Sequence, residues 1–168
     1  MGDHLWHLCR GIDNRNVSTG NVLKSISKET TFLSDINSIE KLDGHIWRLS
    51  DKVSQRAKTK NLVGYVITLK IKTKDFKTIS RRKTQREPTQ IAEIIYAEAR
   101  RMLNDVIQKG PFRLIGVGIS NLKSADNIDQ LNDFLKSNEA RKADAERATD
   151  LIKKRFGNNA ILKGRSLR

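Results

Sequence analysis

The sequence predicts an α+β domain in which two helices cover one face of a four-stranded, mostly antiparallel sheet. Apolar and polar residues alternate with a period of two along 62–73 and 112–122, as expected for strands with one buried face. Apolar residues recur instead at helical spacing along 39–53 and 92–106. Together with two further strands these segments follow the order β-α-β-β-α-β, the split arrangement of ferredoxin-like sheets.

The residues ahead of the predicted sheet divide into two parts. A short amphipathic segment within 1–13 stops at Gly11, and we interpret the polar stretch 14–24 as a linker. Residues 25–32 alternate and are rich in Ser and Thr, which predicts the first strand. This strand opens a domain that we expect to span 25–122.

The first helix follows this strand. Either Asn37 or Ser38 can cap its first turn, because short polar side chains accept hydrogen bonds from free helix amides. The polar residues 58–61 are expected to form a turn. The apolar stripe of the helix consists of Ile39, Leu42, Ile46, Leu49 and Val53.

A strongly basic hairpin is predicted next. Its strands are expected at 62–73 and 76–85, joined by a turn near Lys74 and Asp75, and Asp75 is the only acid between Lys70 and Arg86. A rigid sheet that displays cations in this way suits a phosphate backbone. In the first strand, one side carries Tyr65, Ile67, Leu69 and Ile71, and the other carries Val66, Thr68, Lys70 and Lys72.

The second helix and the fourth strand complete the predicted domain. Pro88 is expected to end the hairpin, Thr89 to cap the second helix, and Gly110 with Pro111 to end that helix. The fourth strand places Ile115, Val117 and Ile119 on one side and Gly116, Gly118 and Ser120 on the other. Glycine in a strand permits close approach of another backbone, so the face without helices should be small and cationic.

The composition points to a polyanionic partner. The 168 residues include 33 Lys and Arg against 19 Asp and Glu, a formal net charge of +14. An excess of this size favours DNA, RNA or an anionic membrane surface. No apolar run approaches the roughly 20 residues that span a bilayer, and a single cysteine excludes a disulfide framework. We therefore expect a cytoplasmic protein without a membrane partner.

The segment LKIKTKDFKTISRRKT (69–84), followed by EPT and a long helix, resembles the little finger domain of Y-family DNA polymerases, most closely their bacterial polymerase IV branch. LWHLCRGID (5–13) is similar to the end of the thumb domain of that family. KSISKETTF (24–32) resembles the linker and first strand of the little finger, and FRLIGVGISNL (112–122) resembles its last strand. The four motifs occur in the family's order.

This resemblance implies a domain that grips the template-primer duplex of an error-prone translesion polymerase through phosphates during lesion bypass. It assigns 1–13 to the end of the thumb, 25–122 to the little finger, 123–138 to a loop, and 139–168 to a C-terminal helix and tail. The residues expected to bind DNA are Lys24, Ser25, Ser27, Thr68, Lys70, Lys72, Lys77, Arg81, Arg82, Lys83, Arg86, Gly116, Gly118 and Ser120.

No catalytic centre is predicted in this chain. Polymerase chemistry requires clustered acids that hold metal ions, and the acids here are scattered. The resemblance implies that the palm and fingers of a longer DNA-directed DNA polymerase carry this chemistry with Mg²⁺, so this C-terminal part should be inactive alone and need no cofactor. His4, His7 and Cys9 have metal-ligand spacing but lack a fourth ligand, and the end of a thumb helix is the better interpretation.

A peptide after the last strand resembles the sequence through which bacterial polymerases bind the sliding clamp. Gln130, Leu131 and Phe134 match that peptide, whereas Asp133 stands where a leucine is expected and Leu135 follows. The alternative is that the apolar residues pack on the domain as a local turn, and both interpretations stay open. The helix predicted at 139–156 likewise either folds against the domain or extends DNA contact through its basic end.

A second function also fits the predicted topology. Ribosomal and other RNA-binding proteins share the ferredoxin-like sheet, so topology alone does not separate them from DNA-binding domains. RNA-recognition sheets stack bases on exposed aromatic residues, and the fourth strand here shows Gly and Ser instead. A third class, an interaction adaptor, is supported only by the clamp-like peptide.

Overall fold

The computed structural model describes residues 2–13, 15–16, 23–127, 137–157 and 160–164. Two short 3-10 turns, Ile107–Lys109 and Ala125–Asn127, flank the last strand. The helices and strands are α1 (Gly2–Leu8), β1 (Ser25–Ile36), α2 (Ile39–Thr59), β2 (Leu62–Thr73), β3 (Thr78–Thr89), α3 (Ala92–Asn104), β4 (Phe112–Ser124) and α4 (Ser137–Phe156).

The four strands form one antiparallel sheet in the order β1-β4-β2-β3. Helix α2 packs on β1 and β4, and α3 packs mainly on β2 and β3. These two helices, which we call the helix layer, leave the opposite face of the sheet open. The predicted α+β class and the β-α-β-β-α-β order, with a C-terminal helix added, are confirmed.

A single apolar core lies between the sheet and the helix layer. The rings of Trp47 and Tyr96 meet edge to face with centroids 5.4 Å apart, and the Tyr96 hydroxyl donates a 2.7 Å hydrogen bond to Asp43 Oδ1. This bond satisfies the polar end of a ring that is otherwise buried. The fully buried side chains include Ile26, Leu42, Ile46, Ile67, Leu69, Ile71, Ile95, Leu103, Phe112, Ile115 and Ile119.

Helix α2 is longer than the sequence predicted. Ser38 caps it by accepting a hydrogen bond from the Lys41 amide, as expected. Its apolar stripe continues to the buried Ala57, so the helix extends to Thr59 and takes up half of the turn predicted at 58–61. No described helix is long and apolar enough to span a membrane.

The predicted break at Pro88 is wrong. Strand β3 continues through Pro88 to Thr89, which is possible because β3 is an edge strand and a bulge separates the regular pair Val66–Thr84 from the pair Gly64–Thr89. Thr89 is not the helix cap either. Ile91 occupies that position, and Thr89 Oγ1 instead accepts a 3.1 Å hydrogen bond from the Ile91 amide.

Helix α4 is held to the helix layer by polar side chains. Glu146 accepts hydrogen bonds from Ser54 Oγ at 3.0 Å, from Lys58 Nζ at 2.9 Å and from the Ala92 amide at 2.9 Å. Because Ile91 offers no capping side chain, Glu146 acts as the cap for the first turn of α3 from a distant part of the chain.

The basic end of α4 also contacts the helix layer. Lys153 of α4 pairs with Asp51 at 2.9 Å, and Lys163, which follows the helix, pairs with Glu93 at 2.8 Å. These contacts agree with a helix that folds against the domain. The alternative, in which the basic end of this helix extends DNA contact, stays a prediction.

Candidate nucleic-acid interface

The open face is built from cross-strand rows. Residues paired directly across a ladder point to the same side of a sheet. One row runs Ser27–Gly118–Thr68–Arg82 from β1 to β3, and the next runs Glu29–Gly116–Lys70–Ser80. The flanking rows add Ser25, Ser120, Val66 and Thr84 on one side and Thr31, Leu114, Lys72 and Thr78 on the other.

Three predicted DNA-binding cations are brought together on this face: Lys70, Lys72 and Arg82. Around them lie hydroxyl groups and glycines, and the open-face positions of the two central strands carry no aromatic side chain. The face is therefore suited to a charged sugar-phosphate backbone and lacks the stacking platform of RNA-recognition sheets.

Two of the predicted cations lie on the other side of the sheet. Arg81 pairs with the buried Leu69, and Lys83 pairs with the buried Ile67, so both side chains lie on the side of the helix layer. They stay exposed because β3 is at the sheet edge. The period of two separates Arg82 from its two neighbours in sequence.

The remaining predicted cations surround the open face. Lys24 is exposed immediately before β1, and Lys77 is exposed in the turn between β2 and β3. Arg86 is exposed within the bulged part of β3. The register pairs none of these three residues in the cross-strand rows, so their part in DNA binding stays a prediction.

The glycines of β4 have a structural role that the sequence did not reveal. A Cβ atom placed on Gly118 would lie 2.8 Å from Ser27 Cβ and 3.1 Å from the Ile26 carbonyl oxygen. A Cβ atom on Gly116 would lie 2.9 Å from Glu29 Cβ. The backbone that approaches closely is thus β1 itself, and the result is a floor without side chains at the centre of the open face.

Replacing Gly118 by alanine is expected to destabilise the domain by about 1–3 kcal/mol, because overpacking forces the adjacent strand to move. Urea unfolding measures the effect. Gly164→Ala is the matched control, since a Cβ atom at Gly164 meets nothing within 4 Å. Equal free energies of unfolding for the two variants would show that β1 and β4 can move apart without destabilising the domain.

The open face also carries an acid that the sequence pattern did not predict there. Glu29 lies on β1 in the same row as Lys70, and Lys70 Nζ donates a 2.8 Å hydrogen bond to Glu29 Oε2 across Gly116. Nothing in the sequence pairs these residues, because 41 positions separate them and their contact depends on the strand order.

The described residues contain no group of three or more His, Cys, Asp or Glu side chains placed to hold a metal ion. In the N-terminal segment, the ring of His7 donates from Nδ1 to the Asp3 carbonyl oxygen at 2.7 Å, and Cys9 Sγ donates to the Trp6 carbonyl oxygen at 3.1 Å. Both side chains act within their own helical segment.

The predicted clamp-binding residues cannot be placed. Gln130, Leu131, Phe134 and Leu135 lie outside the described residues. The two interpretations of this peptide therefore stay as the sequence left them.

Comparison with known proteins identifies the family to which the fold belongs. Residues 23–132 match the model of the impB/mucB/samB family C-terminal domain, which is more than half of the chain. The chain belongs to the impB/mucB/samB C-terminal domain family. This match begins near β1 and covers every strand and both helices of the helix layer.

Curated relatives of this impB/mucB/samB domain carry the name DNA polymerase IV. One from Brucella melitensis is 37% identical over 164 residues, which covers 98% of this chain and 37% of the relative. One from Caulobacter vibrioides is 36% identical over 167 residues, covering 99% of this chain and 41% of the relative. The chain thus spans about two fifths of the length of these relatives.

Solved structures share the fold. A Y-family DNA polymerase chimera aligns with a TM-score of 0.55 at 16% identity, over 70% of this chain and 34% of the chimera. The little finger domain in a complex of the beta-clamp processivity factor and PolIV aligns with a TM-score of 0.50 at 20% identity, over 68% of this chain and 98% of that one. The predicted resemblance to Y-family polymerases, and to DNA polymerase IV among them, is confirmed, and the RNA-binding alternative is not favoured.

Proposed function

We propose that this domain grips the template-primer duplex of a translesion DNA polymerase through its open face. The observation that carries the proposal is the strand register, which brings Lys70, Lys72 and Arg82 beside the bare floor formed by Gly116 and Gly118. A phosphate backbone can approach such a floor closely while cations and hydroxyl groups contact it from the adjacent rows.

The proposed contacts go to phosphates and not to base edges. Apart from Glu29, the polar side chains of the open face are short hydroxyls and flexible cations, which position a duplex without reading its sequence. A translesion polymerase must accept damaged and varied templates, and this kind of grip meets that need. Arg81 and Lys83 act in the proposal through the long-range field of the domain, because they lie on the other side of β3.

The reaction itself is assigned to other parts of a longer polymerase. The acids of the described residues do not form a site that fits Mg²⁺. We infer that the palm domain of the full-length protein holds the metal and joins nucleotides, that the domain described above acts beside it in the bacterial cytoplasm, and that it has no polymerase activity alone.

A second proposed partner is the bacterial sliding clamp. The support is the similarity of fold to a little finger domain whose structure was solved in complex with the beta clamp, together with the match of Gln130, Leu131 and Phe134 to a clamp-binding peptide, with Leu135 as a possible shifted anchor. The peptide follows the last strand, next to the DNA-binding domain in sequence.

Duplex binding across a range of salt concentrations tests the proposed function. Because the 168-residue chain carries a net charge of +14, it is expected to bind two unrelated duplexes equally well, and its affinity should fall steeply with salt, with a log-log slope of about −0.9 for each phosphate contact. Fluorescence anisotropy measures both. A flat salt response, or a strong preference for one duplex, would contradict a grip made through phosphates.

A further inference from the structure

Glu29 and Lys70 form an ion pair between two strands that are not neighbours in the sheet. Gly116 of β4 lies between the two residues in the same row. Strands two apart in a sheet are separated by about 9–10 Å, twice the usual strand spacing. The side chains nevertheless meet at 2.8 Å, because Gly116 has no side chain to keep them apart.

This ion pair covers the part of the open face formed by Gly116, so a phosphate must displace it to reach the strand backbone there. The side chains of Lys70 and Glu29 keep 43% and 50% of their exposure, so the pair is wet and contributes little to folding. Water and salt can separate it easily. An ion pair that adds little to stability and sits on the proposed phosphate path points to a role in binding.

Among the residues paired in the four open-face rows, Glu29 is the one with an acidic side chain. The other positions in those rows carry hydroxyl groups, glycine, aliphatic side chains or cations. A carboxylate presents two oxygens that share a negative charge, much as a phosphate does. The Glu29 carboxylate accepts a hydrogen bond from the Lys70 ammonium group, which a DNA phosphate would otherwise bind.

We propose that Glu29 competes with DNA phosphates for Lys70 and thereby weakens the grip of the domain on duplex DNA. This inference rests on the proposed function. In the free domain Glu29 neutralises Lys70, and on binding a phosphate takes its place. The displaced carboxylate remains close to the duplex and repels it. The domain therefore holds DNA less tightly than its cations alone would, which favours release and movement along the duplex.

The variant Glu29→Gln tests the proposal, because glutamine keeps the size of the side chain and removes the charge. We expect duplex affinity to rise about three- to tenfold near 0.1 M salt, and the log-log salt slope to steepen by up to about 0.9, the value of one additional phosphate contact. Asp144→Asn is the matched control: it removes one negative charge from α4, where Asp144 pairs with Arg147 one helical turn away, and it should change affinity less than twofold.

A double-mutant cycle assigns the gain to Lys70. In a Lys70→Ala background, Glu29→Gln should raise duplex affinity by less than half as much as it does with Lys70 present. The reason is that the ammonium group for which Glu29 and the phosphate compete is then missing. An equal gain in both backgrounds, or no gain at all, would overturn the proposal. If Glu29→Gln has no effect while loss of Lys72 and Arg82 still weakens binding, the competition by Glu29 is refuted and DNA binding by the open face is not. If none of these changes alters binding, both the competition and the proposed function are refuted.

Discussion

Replacing Lys72 and Arg82 together by alanine is expected to weaken duplex binding about tenfold or more near 0.1 M salt. Both side chains lie on the open face, in rows that flank the row of Gly116. Each lost phosphate contact reduces the number of counterions released on binding and so lowers the binding constant by its own factor. The factors of the two lost contacts multiply. Titration of a labelled duplex by fluorescence anisotropy measures the change.

The matched control is the pair Arg81→Ala and Lys83→Ala. It removes the same number of charges from the same strand, but from the side of the helix layer. We expect the duplex affinity of this control variant to fall less than about threefold, because it loses long-range attraction that salt screens and no direct phosphate contact. The Arg81/Lys83 variant should keep its stability within about 0.5 kcal/mol of the unchanged domain, because both side chains are exposed. Lys72 is half-buried, so urea unfolding of the Lys72/Arg82 variant accompanies its binding measurement. Equal losses of affinity would show that DNA does not distinguish the two faces.

Replacing Leu131 and Phe134 together by alanine is expected to reduce binding to the bacterial sliding clamp at least tenfold. Peptides of this kind depend on a few aliphatic and aromatic anchors, and loss of two costs about 2 kcal/mol or more. A peptide that must be ordered on binding has modest affinity, which we place in the micromolar range. Titration of the clamp with the unchanged domain and the double variant measures the loss.

The variant Asp133→Leu provides a second test of the same peptide. Asp133 puts a charge where the clamp pocket is expected to take leucine, so its replacement should strengthen binding if the proposed register is correct. If the three proteins bind the clamp equally, or if none binds, this peptide is not the clamp ligand. Leu131 and Phe134 would then be residues of local packing.

Local patterns in the sequence predicted most of the sheet and its helices. The alternation of Ile67, Leu69 and Ile71 with polar residues marked the buried face of β2 correctly, and Ser38 caps α2 as expected. Pro88 misled the prediction because proline interrupts a central strand but is tolerated on an edge strand with a bulge. Whether a strand is at the edge depends on the strand order, which local patterns do not contain.

The candidate interface was predictable only in part for the same reason. The sequence predicts that Arg81, Arg82 and Lys83 all bind DNA, although a period of two divides them between the two faces as soon as β3 is a regular strand. The pairing of Glu29 with Lys70, and the cap that Glu146 gives to α3, join residues that are far apart in sequence. Such contacts follow from the order β1-β4-β2-β3 and the docking of α4, and neither is a local property.

The salt dependence of duplex binding, measured in parallel for the two double variants, tests the central claim most directly. If the open face holds the phosphates, loss of Lys72 and Arg82 should make the log-log slope shallower by about 1.8, because each phosphate contact contributes about 0.9. Loss of Arg81 and Lys83 should leave the slope nearly unchanged. Parallel lines for the unchanged domain and the Lys72/Arg82 variant, or a shallower slope only for the Arg81/Lys83 variant, would contradict the claim that the open face is the DNA-binding surface.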